Sequence, residues 1–175
     1  MKKMLTVLTL LCVALLPFSA LAETSVISWD DSAALIADSN LTGDFYAIEE
    51  LGLQIWIPDE LNNVEIPAED AAAGRMYLLM DEEQSCYLTI DAVHGDGMTL
   101  DMAYENALNS GMTEPEYVSV NGLDAVSYQN DAADIASFVL VDTNSNMIIF
   151  SFGPFSEEGA DMIFYLICSS IMPLE

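Results

Sequence analysis

Long stretches of this chain alternate apolar and polar residues with the two-residue period that is typical of β-strands. In LTGDFYAIEELGLQIWIPDEL, the alternation predicts one strand near Phe45–Glu49 and a second over Leu53–Ile57, which Pro58 ends. Trp56 falls on the opposite face of the second strand from its leucine and isoleucine neighbours. Large apolar groups on both faces predict a sheet that is covered on both sides.

Three further strand pairs are predicted from apolar runs joined by polar turns. The runs RMYLLM and CYLTIDAV flank DEEQS, and the runs SFVLVD and MIIFSFG flank TNSN. Between EYVSV and LDAVSY stands Asn121-Gly122, a dipeptide that favours a type I′ turn because both central residues of that turn need positive φ. We therefore interpret Ser119 and Ser127 as strand residues, not as a nucleophile and its helper. The run MIIFSFG is apolar on both faces, so we expect it at the centre of the sheet.

Four segments carry helix start signals or the apolar spacing of amphipathic helices. Ser28 precedes WDDSAALIAD, Pro67 precedes AEDAAAG, and Thr99 opens TLDMAYENALNSG. We expect a last helix that Ser156 begins and Pro173 stops. Together the elements predict an α+β fold, an antiparallel β-sheet with helices on both faces in an α/β/α sandwich.

The N-terminal segment has the pattern of a secretory signal peptide. Residues 1–22 read MKKMLTVLTLLCVALLPFSALA, with two lysines, a short apolar run and a small-residue pattern ending at Ala22. The apolar run is shorter than the roughly 20 residues that a membrane-spanning helix needs. We therefore expect cleavage after Ala22, secretion, and a single acidic globular domain over residues 23–175, with no membrane insertion after the signal is removed.

The charge balance is strongly one-sided. Removal of the signal peptide would take away both lysines, which leaves Arg75 as the only basic residue against 29 acidic ones. Such a surface repels phosphate backbones and anionic lipid headgroups, so nucleic-acid binding and membrane-surface docking are disfavoured. With one arginine, we expect at most a salt bridge or two. The acidity favours solubility in a salty exterior over attraction of cationic partners.

Two cysteines, Cys86 and Cys168, follow the predicted signal peptide. Secretion permits a disulfide, and closing a loop of about 80 residues could contribute on the order of 4 kcal/mol in the chain-entropy model. Both cysteines also fall on apolar faces, where free thiols are common. A possible Cys86–Cys168 bridge and two free thiols are both left open by the sequence.

The sequence does not assemble a catalytic set or a cofactor site. Its single histidine, His94, stands beside glycines at the end of a strand and is interpreted as a solvent-facing loop residue. One histidine and two distant cysteines do not make a zinc site. The segment DTNSNMIIFSFG begins like a calcium loop at Asp142, Asn144 and Asn146, but it lacks the glycine and the final glutamate, so a hairpin turn is favoured. We expect no catalytic, cofactor-binding or metal-binding residues.

The order of the elements supports a family resemblance. The stretch NGLDAVSY, then a strand pair ending in FSFGPFSEEG, then a C-terminal helix resembles the PsbP-like superfamily over roughly Leu41 to Met172. Members of that superfamily include small secreted bacterial proteins of unassigned role. The resemblance implies an antiparallel sheet with helices on both faces and a role in binding. It supplies no active-site motif, and no member's partner is carried over to this chain.

Three hypotheses of function follow. The leading one is a secreted, non-catalytic binding or interaction domain for an unknown extracellular or envelope partner. The second is an acid-dependent hydrolase built on two carboxylates, for which acidic pairs such as Glu49-Glu50 and Asp59-Glu60 supply candidates. The third is a surface protein that holds divalent cations weakly. The ligand, the oligomeric state and the strand order do not follow from the sequence.

Overall fold

The computed structural model describes residues 24–39, 41–95 and 97–174. The predicted signal peptide lies outside these ranges. The helices are α1 (Trp29–Ser39), α2 (Ala68–Ala73), α3 (Leu100–Asn109) and α4 (Ala160–Ser169). The strands are β1 (Ser25–Ile27), β2 (Gly43–Ile48), β3 (Leu53–Pro58), β4 (Asn62–Asn63), β5 (Arg75–Met80), β6 (Tyr87–Val93), β7 (Thr113–Val120), β8 (Leu123–Asn130), β9 (Ile135–Val141), β10 (Met147–Gly153) and β11 (Met172–Pro173).

The described strands form two sheets. The large sheet has the order β1-β7-β8-β9-β10-β6-β5-β4, and the small sheet has the order β11-β3-β2. Every pair is antiparallel except β1 with β7, which is parallel. The α+β prediction is therefore confirmed, with two corrections: the large sheet is mixed, and β2 and β3 belong to a second sheet.

The main core lies between the large sheet on one side and the small sheet with α4 on the other. Strand β10 pairs with both β9 and β6, so it is a central strand as predicted. Its residues Ile148, Phe150 and Phe152 are buried in the core, and α3 covers the opposite face of the neighbouring strands. The prediction of helices on both faces is confirmed.

Trp56 lies on the outer face of the small sheet, as predicted, next to Trp29 at the start of α1. Its ring centroid is 6.5 Å from that of Trp29, and Trp29 in turn makes an edge contact with Phe45 at 5.1 Å. The hydroxyl of Ser28 accepts a hydrogen bond from the backbone N–H of Asp30, which supports the predicted start of this helix. The first turn of α1 thus packs on the outer face of the small sheet through Trp29, and the helix also contacts α4.

Three local predictions concern helix ends, and the two for the last helix are wrong. Thr99 caps α3 as expected, because its hydroxyl accepts a hydrogen bond from the N–H of Met102. Ser156 does not begin the last helix, since its hydroxyl and its N–H both bind the carboxylate of Asp134, and α4 starts only after Gly159. The helix also ends before Pro173, which lies in β11.

Arg75 makes both ion pairs found among the described residues. Its guanidinium lies 3.0 Å from an oxygen of Asp70 and 2.9 Å from an oxygen of Asp91. Asp91 also accepts a hydrogen bond from the hydroxyl of Thr89. The expectation of one or two salt bridges is confirmed, and the other carboxylates of the surface have no arginine or lysine partner within the described ranges.

Added NaCl is expected to raise the melting temperature. The formal net charge is −26 at pH 7, and dissolved cations screen the repulsion among carboxylates that have no basic partner. Differential scanning calorimetry across the first few hundred millimolar of NaCl measures the effect. A flat or falling melting temperature would contradict it.

Candidate functional site

A cleft opens between the free edges of the two sheets, where β2 of the small sheet faces β4 and β5 of the large one. Its volume is about 250 Å³. The lining comes from five stretches of the chain, namely Tyr46, Ala47, Ile48, Ile55, Ile57, Leu61, Asn62, Asn63, Tyr77, Leu79 and Ile90. This cleft is the candidate site, and we refer to it as the inter-sheet cleft.

The floor of the inter-sheet cleft is apolar and well fixed. Ile55 and Ile57 point into the cleft from β3 because they alternate with the outward-facing Trp56. Leu79 and Ile90 contribute the opposite wall from β5 and β6. These four residues are each no more than 9% exposed, so they belong to the core that holds the two sheets together.

The mouth of the inter-sheet cleft is amphipathic. Tyr46 is 54% exposed, and Asn63 is exposed on the facing strand β4. The hydroxyl of Tyr77 donates a hydrogen bond of 3.5 Å to a carboxylate oxygen of Glu50. Burial raises the pKa of Tyr77, and the charges of Glu50 and Glu49 raise it further. Two phenol rings and a carboxylate therefore meet at the entrance.

Acidic residues surround the mouth. Within two residues of lining positions lie exposed carboxylates contributed by Asp44, Glu49, Glu50, Asp59 and Glu60. Arg75 is the only arginine or lysine of the described ranges, and it is bound to Asp91. Asp91 follows the cleft residue Ile90 in β6 and therefore lies on the opposite face of the sheet. The mouth is consequently a region of negative potential.

The carboxyl groups whose pKa is shifted do not have the character of a general acid. Hydrogen bonds from Ser85 lower the pKa of Asp81, and hydrogen bonds from Ser156 lower the pKa of Asp134. The pKa of Asp142 is also lowered, because hydrogen bonds from Asn146 and Asn144 outweigh the opposing effect of burial. A carboxyl-based hydrolase needs a neighbouring pair with one raised pKa, which is the opposite direction.

The segment that begins like a calcium loop is a hairpin turn. Asp142 accepts hydrogen bonds from the backbone N–H groups of Asn144 and Asn146, and its second oxygen accepts one from the side chain of Asn146. His94 is exposed, and its Nδ1 lies 2.7 Å from Oδ1 of Asn146. Across residues 24–39, 41–95 and 97–174, no group of three or more His, Cys, Asp or Glu side chains is arranged to hold a metal ion.

The possible disulfide between Cys86 and Cys168 is not formed. Both are free thiols that pack into or against the apolar core. Burial raises the pKa of the Cys168 thiol, and burial together with the charge of Asp81 raises the pKa of Cys86. Neither thiol therefore has the lowered pKa of a reactive cysteine.

A thiol titration tests this arrangement. The sample is the protein without the signal peptide, unfolded in the absence of a reductant. In this sample both Cys86 and Cys168 should react with a thiol reagent. In the folded protein Cys168 should stay unreactive, because it is 4% exposed and the thiolate is the attacking species. Loss of both thiol signals after unfolding, restored by a reductant, would show that a bridge forms.

Asn121 does more than turn the chain. Asn121 and Gly122 have φ values of 49° and 83°, which confirms the predicted type of turn. The Asn121 side chain also accepts a hydrogen bond from the N–H of Trp29 and donates to the carbonyls of Ser169 and Ile171. The sequence predicted the turn but gave no signal for these contacts, which fix α1 and the end of α4 to the large sheet.

No family model matches the sequence of this chain, and no curated protein matches it. Solved structures do. The solution structure of cyanobacterial PsbP (CyanoP) from Synechocystis sp. PCC 6803 is similar with a TM-score of 0.54 and 13% identity, over 75% of this chain and 92% of that chain. The fold is PsbP-like. The family resemblance predicted from the sequence is thereby confirmed at the level of the fold.

Two other structures show weaker similarity. A crystal structure from Bacteroides thetaiotaomicron gives a TM-score of 0.49 and 14% identity over 76% of this chain and 49% of that chain. The Saccharomyces cerevisiae Ran-binding protein Mog1p gives 0.45 and 10%, over 77% of this chain and 97% of that chain. Within the described residues of the present chain, no helix is long and apolar enough to span a membrane.

Proposed function

We propose that this PsbP-like chain is a secreted, non-catalytic binding domain and that the inter-sheet cleft is its ligand site. The observation that carries the proposal is the apolar cleft of about 250 Å³ that opens to solvent between two free sheet edges. Concave, largely apolar sites with a few polar groups at the rim are typical of binding pockets. Residues 1–22 support secretion, so the partner is expected outside the cell or in the envelope.

The chemistry of the lining favours binding over catalysis. The described residues that line the cleft are aliphatic side chains, two tyrosines and two asparagines, without a histidine, thiol, aliphatic hydroxyl or carboxylate among them. A general base and a nucleophile would have to come from such groups. The asparagines and tyrosines can instead orient a ligand by hydrogen bonding while the floor buries its apolar part.

A methyl NMR titration with indole, a neutral apolar probe, tests the site. We expect saturable shifts of the methyl signals of Ile55, Ile57, Leu79 and Ile90, which line the floor. Replacing Asn63→Trp should weaken binding by about tenfold or more, because this exposed residue lies on the cleft side of β4, opposite Leu79. The matched control is Asn109→Trp, at an exposed position at the end of α3 beyond the far face of the large sheet.

Shifts that do not saturate, or shifts that Asn63→Trp leaves unchanged, would remove the inter-sheet cleft as the ligand site. Equal loss of binding in Asn109→Trp would show that the effect is not local. Each of these three results would contradict the proposal.

A further inference from the structure

Strand β2 is the longest and most regular sheet edge among the described residues. Edge strands of soluble proteins are usually short or carry proline, charged side chains (above all lysine) or a bulge, which prevents pairing with other chains. Among the described edges, β1 has three residues, β4 has two, and β11 has two including Pro173. Strand β2 has six residues, GDFYAI, without lysine or proline, and its register with β3 is continuous from Gly43 to Ile48. Its one charge, Asp44, repels acidic strands but attracts basic ones.

The side chains of β2 add to this exposed edge. Phe45 is 43% exposed and Tyr46 is 54% exposed, on opposite faces of the strand. Tyr46 lies at the mouth of the inter-sheet cleft, while Phe45 packs against Trp29 on the other face. An incoming strand beside β2 would therefore place alternate side chains over the cleft.

The dimensions of the cleft favour a side chain as its occupant. Small-molecule pockets usually measure roughly 300–1,000 Å³. The inter-sheet cleft, at about 250 Å³, is smaller and suits one or two apolar side chains. When a peptide adds a strand to a sheet edge, main-chain hydrogen bonds give affinity, and pockets for alternate side chains give specificity. The inter-sheet cleft is of a size to act as such a pocket.

The charges around β2 select the partner. Exposed carboxylates lie on β2 at Asp44, directly after it at Glu49 and Glu50, and on the loop that leads to β4 at Asp59 and Glu60. A second copy of this chain would bring the same acidic rim and a net charge of −26, so pairing between two copies is opposed. A basic segment is complementary to the rim.

We propose that β2 binds an extended basic peptide segment as an added strand, with an apolar side chain of the peptide in the inter-sheet cleft. The partner is thus a secreted or envelope protein with an exposed segment that alternates basic and apolar residues. This inference rests on the proposed function, because it gives the cleft its class of ligand.

Isothermal titration calorimetry with a set of short peptides tests the proposal. The main probe alternates lysine with leucine and valine. A second peptide has glutamate at every lysine position. Two further peptides keep the basic sequence, and each carries backbone N-methyl groups along one of the two hydrogen-bonding edges of the strand. We expect the basic peptide to bind, the acidic one to bind at least about tenfold more weakly, and one of the two N-methylated forms to lose binding to a similar extent.

Variants of the protein locate the contact. Tyr46→Lys places the usual edge-protecting charge on β2 and should weaken binding of the basic peptide at least about tenfold. Tyr165→Lys is the matched control, because Tyr165 is 37% exposed on α4 and does not line the cleft. The double change Glu49→Gln with Glu50→Gln should reduce both the affinity and its dependence on NaCl.

The outcomes separate this inference from the proposed function. If indole binds the cleft but neither N-methylated form is impaired, the added-strand inference is wrong and the cleft proposal stands. Equal binding of the acidic peptide would overturn the charge selection. If sedimentation shows that β2 mediates a dimer that Tyr46→Lys dissolves, the partner is a second copy and the inference is overturned. If indole and every peptide fail to bind, both proposals fall.

Discussion

Replacing Asn121 with glycine is expected to lower the free energy of unfolding by about 2–4 kcal/mol. Glycine adopts the positive φ of 49° without strain, so the turn is preserved and only the side chain is lost. That side chain makes hydrogen bonds of 2.9 Å with the N–H of Trp29 and of 2.8 Å with each of the carbonyls of Ser169 and Ile171. A net value of about 1 kcal/mol for each bond, with a further cost for the partners left unpaired, gives the expected range.

Urea unfolding measures the change in the free energy of unfolding. Two other variants test whether the change comes from the Asn121 side chain. Asn144→Gly, in the exposed turn before β10, removes only an exposed side-chain hydrogen bond to Asp142 and should lower the free energy of unfolding by less than about 1 kcal/mol. Asn121→Asp retains the acceptor for Trp29 but points a carboxylate at two carbonyl oxygens, which raises the folded-state pKa of the new group. Its destabilisation should therefore be largest at neutral pH and should shrink as the pH falls and the carboxyl becomes a donor. A loss for Asn121→Gly no larger than that for Asn144→Gly would contradict the role of Asn121.

Replacing Ser170 with alanine is expected to destabilise the fold by about 1–3 kcal/mol. The Ser170 hydroxyl accepts a hydrogen bond of 2.8 Å from the backbone N–H of Trp56 and donates one of 2.6 Å to the carbonyl of Ile167. Strand β11 pairs only with Leu53 and Gln54, so it does not reach Trp56. The Ser170 hydroxyl takes the place of a neighbouring strand as the acceptor for the Trp56 N–H. Alanine would leave that buried N–H without a partner.

Ser169 provides a matched control for Ser170. It is also fully buried, but its hydroxyl donates only to the carbonyl of Leu166 and accepts from no described group. Ser169→Ala therefore leaves no donor unpaired and should cost less than about 1 kcal/mol in denaturant unfolding. Equal losses for the two variants would show that the Trp56 N–H does not account for the effect.

The hairpins could be predicted from the sequence because their information is local. Alternation fixes which residues share a face, and Asn121-Gly122 fixes the turn, so the pairing of β7 with β8 follows from adjacent residues. The short strands could not be predicted in this way. Strand β1 pairs with β7 across Ile27 and Val120, and β11 pairs with β3 across Pro173 and Leu53. Neither partner is close in sequence.

Ser156 shows how a local signal fails when a distant residue competes for the same groups. The sequence SEEG has the appearance of a helix start, with a capping hydroxyl and carboxylates in the first turn. In the structure Asp134, at a positive φ of 57°, binds the N–H groups of Phe155 and Ser156 and the Ser156 hydroxyl. The helix begins beyond this contact.

The inter-sheet cleft could not be predicted because no single segment forms it. Its lining comes from β2, β3, β4, β5 and β6, and its open side depends on which edges of the two sheets are left free. The apolar residues that line it, such as Ile55 and Leu79, have the same pattern as any core residue. The acidic pairs Glu49-Glu50 and Asp59-Glu60 are visible in the sequence, but there they suggest two carboxylates of a hydrolase and not the rim of a cleft.

The single arginine, Arg75, also affects how readily proteases of trypsin type can cleave this protein. Proteases of trypsin type cut after lysine or arginine, and both lysines of this chain lie in the predicted signal peptide. The one remaining target bond, Arg75–Met76, lies in β5, with the guanidinium held by Asp70 and Asp91. Cleavage requires an exposed, locally unfolded segment, and the pairing of Arg75 with Asp91 on β6, next to a register shift at Met76, opposes that unfolding. The composition that makes the protein so acidic thus also leaves such proteases almost nowhere to cut.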